Sequence, residues 1–258
     1  LGDCEEAVVA VHLFGSVVSD ETTPISDVDL IVVLASDVSE SYVADVERRC
    51  EELAAAHLDA GTDDRSALER AVERATGMYR SGFVTTEAAV EAGEFPAVFD
   101  TSPIAPFVAP WRTVLFGVFE TGVTVYGRPV EPRWEAVGTP FAFPYRELLR
   151  SLLTTVALAA AQVGYALVSP RAIDYSLEAA KWTAYNCAFH LGDGPSGSLD
   201  RAVDLAPVPR WYRRRFLALR SDPEPDLGFV VLTPLVVLYA HLVTIARLVR
   251  APSQQGRE

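Results

Sequence analysis

Apolar positions along the chain fall into two regimes. Residues 8–14 (VVAVHLF) and 27–34 (DVDLIVVL) are short apolar runs, rich in β-branched side chains and bounded by polar residues, and they predict buried strands. Between residues 39 and 58 the period changes. Tyr42, Val43, Val46, Cys50, Leu53 and Ala54 recur at helical spacing, with Ser39 or Ser41 placed to cap the first turn. A short helix is expected over 65–75, a third strand over 77–85 and a helix over 111–120 closed by Gly122. A last strand is expected over 123–126, ending at Gly127-Arg128. Residues 94–110 are punctuated by proline and predict a loop. Residues 129–144 hold four prolines and little periodicity, which suits a linker.

Beyond 145 the pattern is helical throughout. Residues 146–168, 175–191, 211–219 and 227–249 carry long apolar stripes, and together they predict a bundle of four or five helices. The expected architecture is therefore α/β in the α+β sense: a mixed sheet flanked by helices over 1–142, then a helical bundle domain over 143–258. Residues 148–168 and 227–249 are long enough to invite a membrane reading. The first contains Arg150 and Gln162, and the second contains His241 and Arg247 and is interrupted by Pro234, so buried helices of a soluble bundle are expected.

Composition narrows the partners. Acids outnumber bases 35 to 22 in 258 residues, a formal charge of −13, which disfavours a long nucleic acid and leaves small acceptors. Lys181 is the only lysine. Acid excess with arginine for nearly every base resembles the composition of salt-loving archaeal proteins, in which high ionic strength screens self-repulsion. Cys4, Cys50 and Cys187 are scattered and predict buried thiols in a reducing compartment. His12, His57, His190 and His241 lack metal-ligand spacing and read as structural. Asp3, Glu5 and Glu6 have the wrong charge for a leader's basic start, so a cytoplasmic location is expected. The Gly192–Gly197 letters fit GxGxxG, yet they follow a helix and include proline, so a loop is expected there. The arginines of 210–220 are expected to pair with surface carboxylates.

The candidate chemistry lies between the first two strands. Gly15-Ser16 follows the first, and a turn there offers backbone N–H groups and one hydroxyl to an anion, with Gly15 allowing close approach. Asp27 and Asp29 lie two apart at the start of the second strand, so both face one side and can share a divalent cation. A carboxylate next to the apolar run 30–34 is costly unless it is partnered.

The pattern LFGS at 13–16, ten residues, then Asp27-x-Asp29 within SDVDLIVVL resembles the signature of the DNA polymerase beta-type nucleotidyltransferase superfamily. Its two-domain members include the aminoglycoside and kanamycin nucleotidyltransferases. The phrase GVTVYGRPV at 122–130 is similar to the end of the catalytic domain in that family. The resemblance implies that Gly15 and Ser16 hold the triphosphate of a nucleotide, with ATP expected, and that Asp27 and Asp29 are the catalytic carboxylates and hold Mg²⁺. It also implies a lysine projected from the helical domain onto phosphate, and Lys181 is the candidate; its alternative is an ion pair with Glu178 or a head turned to water.

The activity so implied is transfer of a nucleoside monophosphate to a hydroxyl of a small acceptor with release of pyrophosphate; self-association is left open. One departure matters. The family places a further acid on the third strand, where this chain has none and Arg80 stands at about that place. Glu87, just past the strand, either reaches the site or opens the next helix, and the helix is the expected role. The missing acid keeps a second class open: a weakly active or inactive nucleotide-binding regulatory protein, including a toxin–antitoxin partner or a protein-nucleotidylating one.

Overall fold

A computed structural model describes residues 7–18, 28–57, 82–166, 172–192 and 194–250. Among these the chain divides into two compact units, one comprising 7–18, 28–107 and 114–139 and the other 108–113 and 140–250.

The first unit is built on a four-stranded sheet in the order β3-β2-β1-β4, where β1 is Val8–Phe14, β2 Asp29–Leu34, β3 Gly82–Thr86 and β4 Val123–Gly127. β1 runs antiparallel to β2 and β4, whereas β2 and β3 are parallel. A parallel pair needs a crossover, and the Glu40–His57 helix lies within it. Ser39 accepts the N–H of Tyr42 at 3.3 Å, so of the two expected caps Ser39 is the one used.

The two faces of the sheet divide by alternation. Val32, Leu34 and Val84 pack with Val46, and Tyr42, Val43 and Cys50 of the same helix lie against that cluster, as the helical stripe requires. The opposite face carries His12, Phe14, Asp29, Ile31 and Phe83, with Phe14 and Asp29 directly paired across β1 and β2. Phe14 stacks over Phe83, and Phe83 meets Phe99 edge to face at 5.2 Å. His12 stacks on Phe119 and its Nε2 donates to the Val118 carbonyl at 3.0 Å, a structural histidine as expected.

The described part of β3, Gly82–Thr86, overlaps the expected strand, while residues 77–81 and the helix expected over 65–75 lie outside the described residues. Two local expectations are corrected. The stretch 94–110 contains two single-turn helices, Phe95–Val98 and Ala105–Val108, because proline is well tolerated in a first helical turn. Gly122 does follow the Trp111–Thr121 helix, but it is not in the left-handed region. A side chain there would place its Cβ 2.1 Å from His12 Nε2, so the requirement is for room.

The second unit is helical: Pro144–Tyr165, Ala172–Leu191, Leu199–Leu205, Arg210–Ser221 and Leu227–Arg250. Leu177, Ala184, Cys187 and Ala188 form its core with Phe216, Leu219, Phe229 and Val236. The Leu199 helix had no strong stripe to reveal it; it is seven residues long and capped by Ser198, which accepts the Arg201 N–H at 3.2 Å. The Leu227 helix continues through Pro234, contrary to the expected break. One hydrogen bond is lost in 24 residues, while Thr233 anchors that turn by donating to the Phe229 carbonyl at 2.7 Å and bonding Tyr212 at 2.9 Å.

Several buried polar groups inside this bundle are paired, among them Glu147, Ser151 and His241. Glu147, with no exposed surface, accepts the N–H groups of Arg112 and Thr113 and lies 3.1 Å from Arg150 and 3.7 Å from Arg112. Burial pushes its pKa up, while the arginines and the backbone donors pull the other way. His241 donates from Nδ1 to the Val237 carbonyl at 2.9 Å, so its Nε2 accepts from Ser151 at 2.9 Å. Arg213, Arg215 and Arg220 pair with Asp204, with Glu224 and Asp226, and with Glu178, as expected for a basic run in an acidic chain. Two helices, Pro144–Tyr165 and Leu227–Arg250, are long and apolar enough to cross a membrane by length and composition; each also contributes one of the buried polar partners just described.

Candidate active site

The site is assembled where β1 ends and β2 begins. β1 gives way at Gly15–Val17 to a single tight helical turn, closed by the Val18 N–H to the Gly15 carbonyl at 3.2 Å. Gly15 has φ +76°, a conformation that any Cβ would strain. A Cβ built on it would lie 2.4 Å from Asp29 Oδ2. The Asp29 carboxylate is therefore packed directly against the glycine backbone, and a side chain at position 15 would displace it while holding a backbone conformation that L residues rarely adopt.

Three of the five expected site residues are thus neighbours: Gly15, Ser16 and Asp29. Asp29 is half-buried, at the end of a face whose interior is Ile31, Phe14 and Phe83. Asp27 lies outside the described residues. Lys181 belongs to the second unit, where its ammonium is 2.6 Å from Glu178 and 5.7 Å from the Trp182 ring. Glu178 also faces Arg220, so one carboxylate serves two cations.

β3, from Gly82 to Thr86, contributes no carboxylate. Thr86 accepts the N–H of Ala89 at 3.4 Å as the cap of the Glu87–Ala92 helix, and Glu87 is that helix's first residue, paired with Arg128. This is the helix-opening role. What the sequence did not disclose is the partner, which follows β4 and is brought there by the sheet. Gly127 makes that approach feasible: its φ is +74°, and a Cβ would sit 1.9 Å from the Val9 carbonyl. The GVTVYGRPV phrase therefore owes its second glycine to the packing of β4 on β1.

Among the described residues no three acid, histidine or cysteine side chains gather as a ready metal cluster. The donor set at hand is one carboxylate beside a backbone turn. Mg²⁺ takes few protein carboxylates and completes its shell from phosphate and water, so this set fits a metal that arrives with a nucleotide.

Comparison with known proteins agrees with the geometry. Residues 3–77 match the family model described as Nucleotidyltransferase domain. That match holds Gly15, Ser16, Asp27 and Asp29 and spans under a third of the chain. Its fold is similar to that of the spectinomycin adenyltransferase AAD(9) from Enterococcus faecialis, solved with ATP and spectinomycin. That match has a TM-score of 0.56 at 10% identity and covers 95% of this chain and 94% of that one. No curated protein matches by sequence.

Proposed function

We propose that the protein transfers a nucleoside monophosphate, from ATP as the expected donor, to a hydroxyl of a small acceptor in the cytoplasm, with pyrophosphate released. The observation that carries this is the contact between Asp29 and Gly15. A turn that offers amide donors to phosphate has a carboxylate pressed against it. Two anions brought that close repel unless a cation lies between them, so the arrangement calls for a metal-bound triphosphate.

In this reading the Gly15 and Ser16 turn binds the phosphates, and Asp29 with Asp27 would hold Mg²⁺. A bound Mg²⁺ supplies charge neutralisation and polarises the transferred phosphoryl group. Lys181 would exchange Glu178 for a phosphate oxygen, which its compact ammonium suits. The similar adenyltransferase was solved with ATP and spectinomycin, the pairing of nucleotide and small acceptor that we propose here.

A second reading, a nucleotide-binding protein with little turnover, is favoured by one observation: β3 lacks a carboxylate and Glu87 is engaged by Arg128. Incubation with labelled ATP, Mg²⁺ and a panel of aminocyclitols and polyols separates them. Pyrophosphate release that depends on acceptor, and that Asp29→Asn and Asp27→Ala both abolish, supports the enzyme. ATP binding without release supports the second reading, and transfer surviving both substitutions refutes the assignment of the site.

A further inference from the structure

Two arginines of the Arg210–Ser221 helix are partnered in inverse order to their need. Arg215, its side chain 43% exposed, lies 2.9 Å from Glu224 and 2.6 Å from Asp226. The side chain of Arg220 is 9% exposed, and among the described residues its one ion pair is with Glu178 at 3.4 Å. Lys181 holds that same carboxylate more closely, at 2.6 Å. The Nε of Arg220 is buried and has no hydrogen-bond partner among the described residues. A guanidinium has five N–H donors and keeps its charge, and a donor left unsatisfied inside a protein loses the water it would otherwise bond.

Lys181, Arg220 and Glu178 set two positive charges against one negative, in a chain whose formal charge is −13. The place of Arg220 in the last turn of its helix suits the helix dipole, but it does not account for the bare Nε or the shared carboxylate. An anion that brings several acceptor oxygens accounts for both. Access is from the rim, where the side chains of Lys181 and Glu178 are 26% and 20% exposed. A phosphate group suits the two cations: a guanidinium takes two oxygens through its planar fork, and an ammonium takes another as a point charge.

We propose that Arg220 is a second phosphate-binding cation beside Lys181, and that Glu178 is their exchangeable counter-ion, displaced when a pyrophosphate group binds. The inference rests on the proposed function for the source of that group, which is the β,γ end of a nucleoside triphosphate or the pyrophosphate set loose from it. All three residues belong to the helical unit.

Lys181 is the only lysine, so acetylation of the full chain by an N-hydroxysuccinimide ester, read by mass spectrometry, reports on this site alone among side-chain amines. With Mg²⁺ present, inorganic pyrophosphate and ATP should each slow that reaction by about tenfold or more, and AMP should not. Protection by pyrophosphate without protection by ATP assigns the site to the released anion. Arg220→Gln should raise the pyrophosphate concentration for half protection by about 10- to 100-fold, as for a lost charge-assisted hydrogen bond. Glu178→Gln should lower it, because the competing carboxylate is gone, a change of sign that a merely structural ion pair does not produce. Circular dichroism and cooperative melting verify each fold. If Arg220→Gln does not fold, Arg220→Lys, which keeps the charge and loses the fork, replaces it with the same direction expected. Lys181 left equally reactive by pyrophosphate, protected as well by AMP as by ATP, or protected at the same concentration in every variant overturns the site, whether or not nucleotide is transferred. Protection in a protein that transfers no nucleotide upholds the site and counts against the proposed function alone.

Discussion

Asp29 and Glu147 are both carboxylates set beside main-chain amides, one in each unit, and the folds treat them differently. Glu147 is enclosed. Two arginines and two backbone N–H groups converge on it, so its charge is answered within the helical unit, where it ties residues 112 and 113 to the Pro144–Tyr165 helix. Asp29 stands half-buried at the first position of its strand, pressed on a left-handed glycine at the edge of an aromatic floor. Glu147 sits among its countercharges inside the helical unit, whereas Asp29 stands at the start of a strand beside the turn that we propose binds phosphate.

The comparison predicts opposite failures. Glu147→Ala leaves Arg150 and Arg112 without their buried partner and should cost about 3–5 kcal/mol of stability, read by chemical denaturation. If the loss is below about 1 kcal/mol, Glu147 is not the anchor described. Asp29→Asn should leave the denaturation midpoint nearly unchanged yet lower transfer by about 10²–10³-fold; Gly15→Ala should lower transfer similarly by displacing the carboxylate and also cost about 1–2 kcal/mol of stability, because its φ is positive. Stability loss without loss of transfer at Asp29 would reverse the roles.

Next is the pH dependence of the bundle. Burial lowers the pKa of His190 and of His241 to about 4, and for His190 the proximity of His241 adds to it. The folded protein keeps both neutral while the unfolded chain protonates first, below about pH 6.5. Stability is therefore full above that value and declines towards pH 4, by about 3 kcal/mol per histidine. Urea midpoints measured from pH 7 to pH 4.5 should fall, and His190→Asn should flatten the slope. The smallest effect is expected at Glu87→Gln: less than about 1 kcal/mol in stability, as for a partly exposed ion pair, and transfer within about threefold of wild type. A drop of 100-fold would show that Glu87 works on the acceptor after all.

Much of this was legible in the sequence because local period and local chemistry agree. The strand runs, the stripe from Tyr42 to Cys50 and the long apolar helices each announce themselves within a dozen residues, and the Gly15-Ser16 turn lies close in sequence to Asp29. What escaped depends on distant partners. The cap and countercharge of the Glu87 helix come from Thr86 and from Arg128, 41 residues on. The role of Gly122 depends on His12, whose ring it accommodates. The continuity of the Leu227 helix through Pro234 depends on Tyr212 and Thr233. Nothing in a hydropathy pattern records such pairings, since they arise only when the sheet and bundle close.

The place of β4 in the sheet has a consequence for synthesis. β1 gains its first neighbour almost at once, but its other edge is covered only by a strand whose Thr124 lies 112 residues after His12. At a translation rate of about 5–20 residues per second, the nascent chain displays an open, apolar strand edge for roughly 6 to 22 s. Over that interval the ribosome carries a sheet edge open to pairing with the wrong chain.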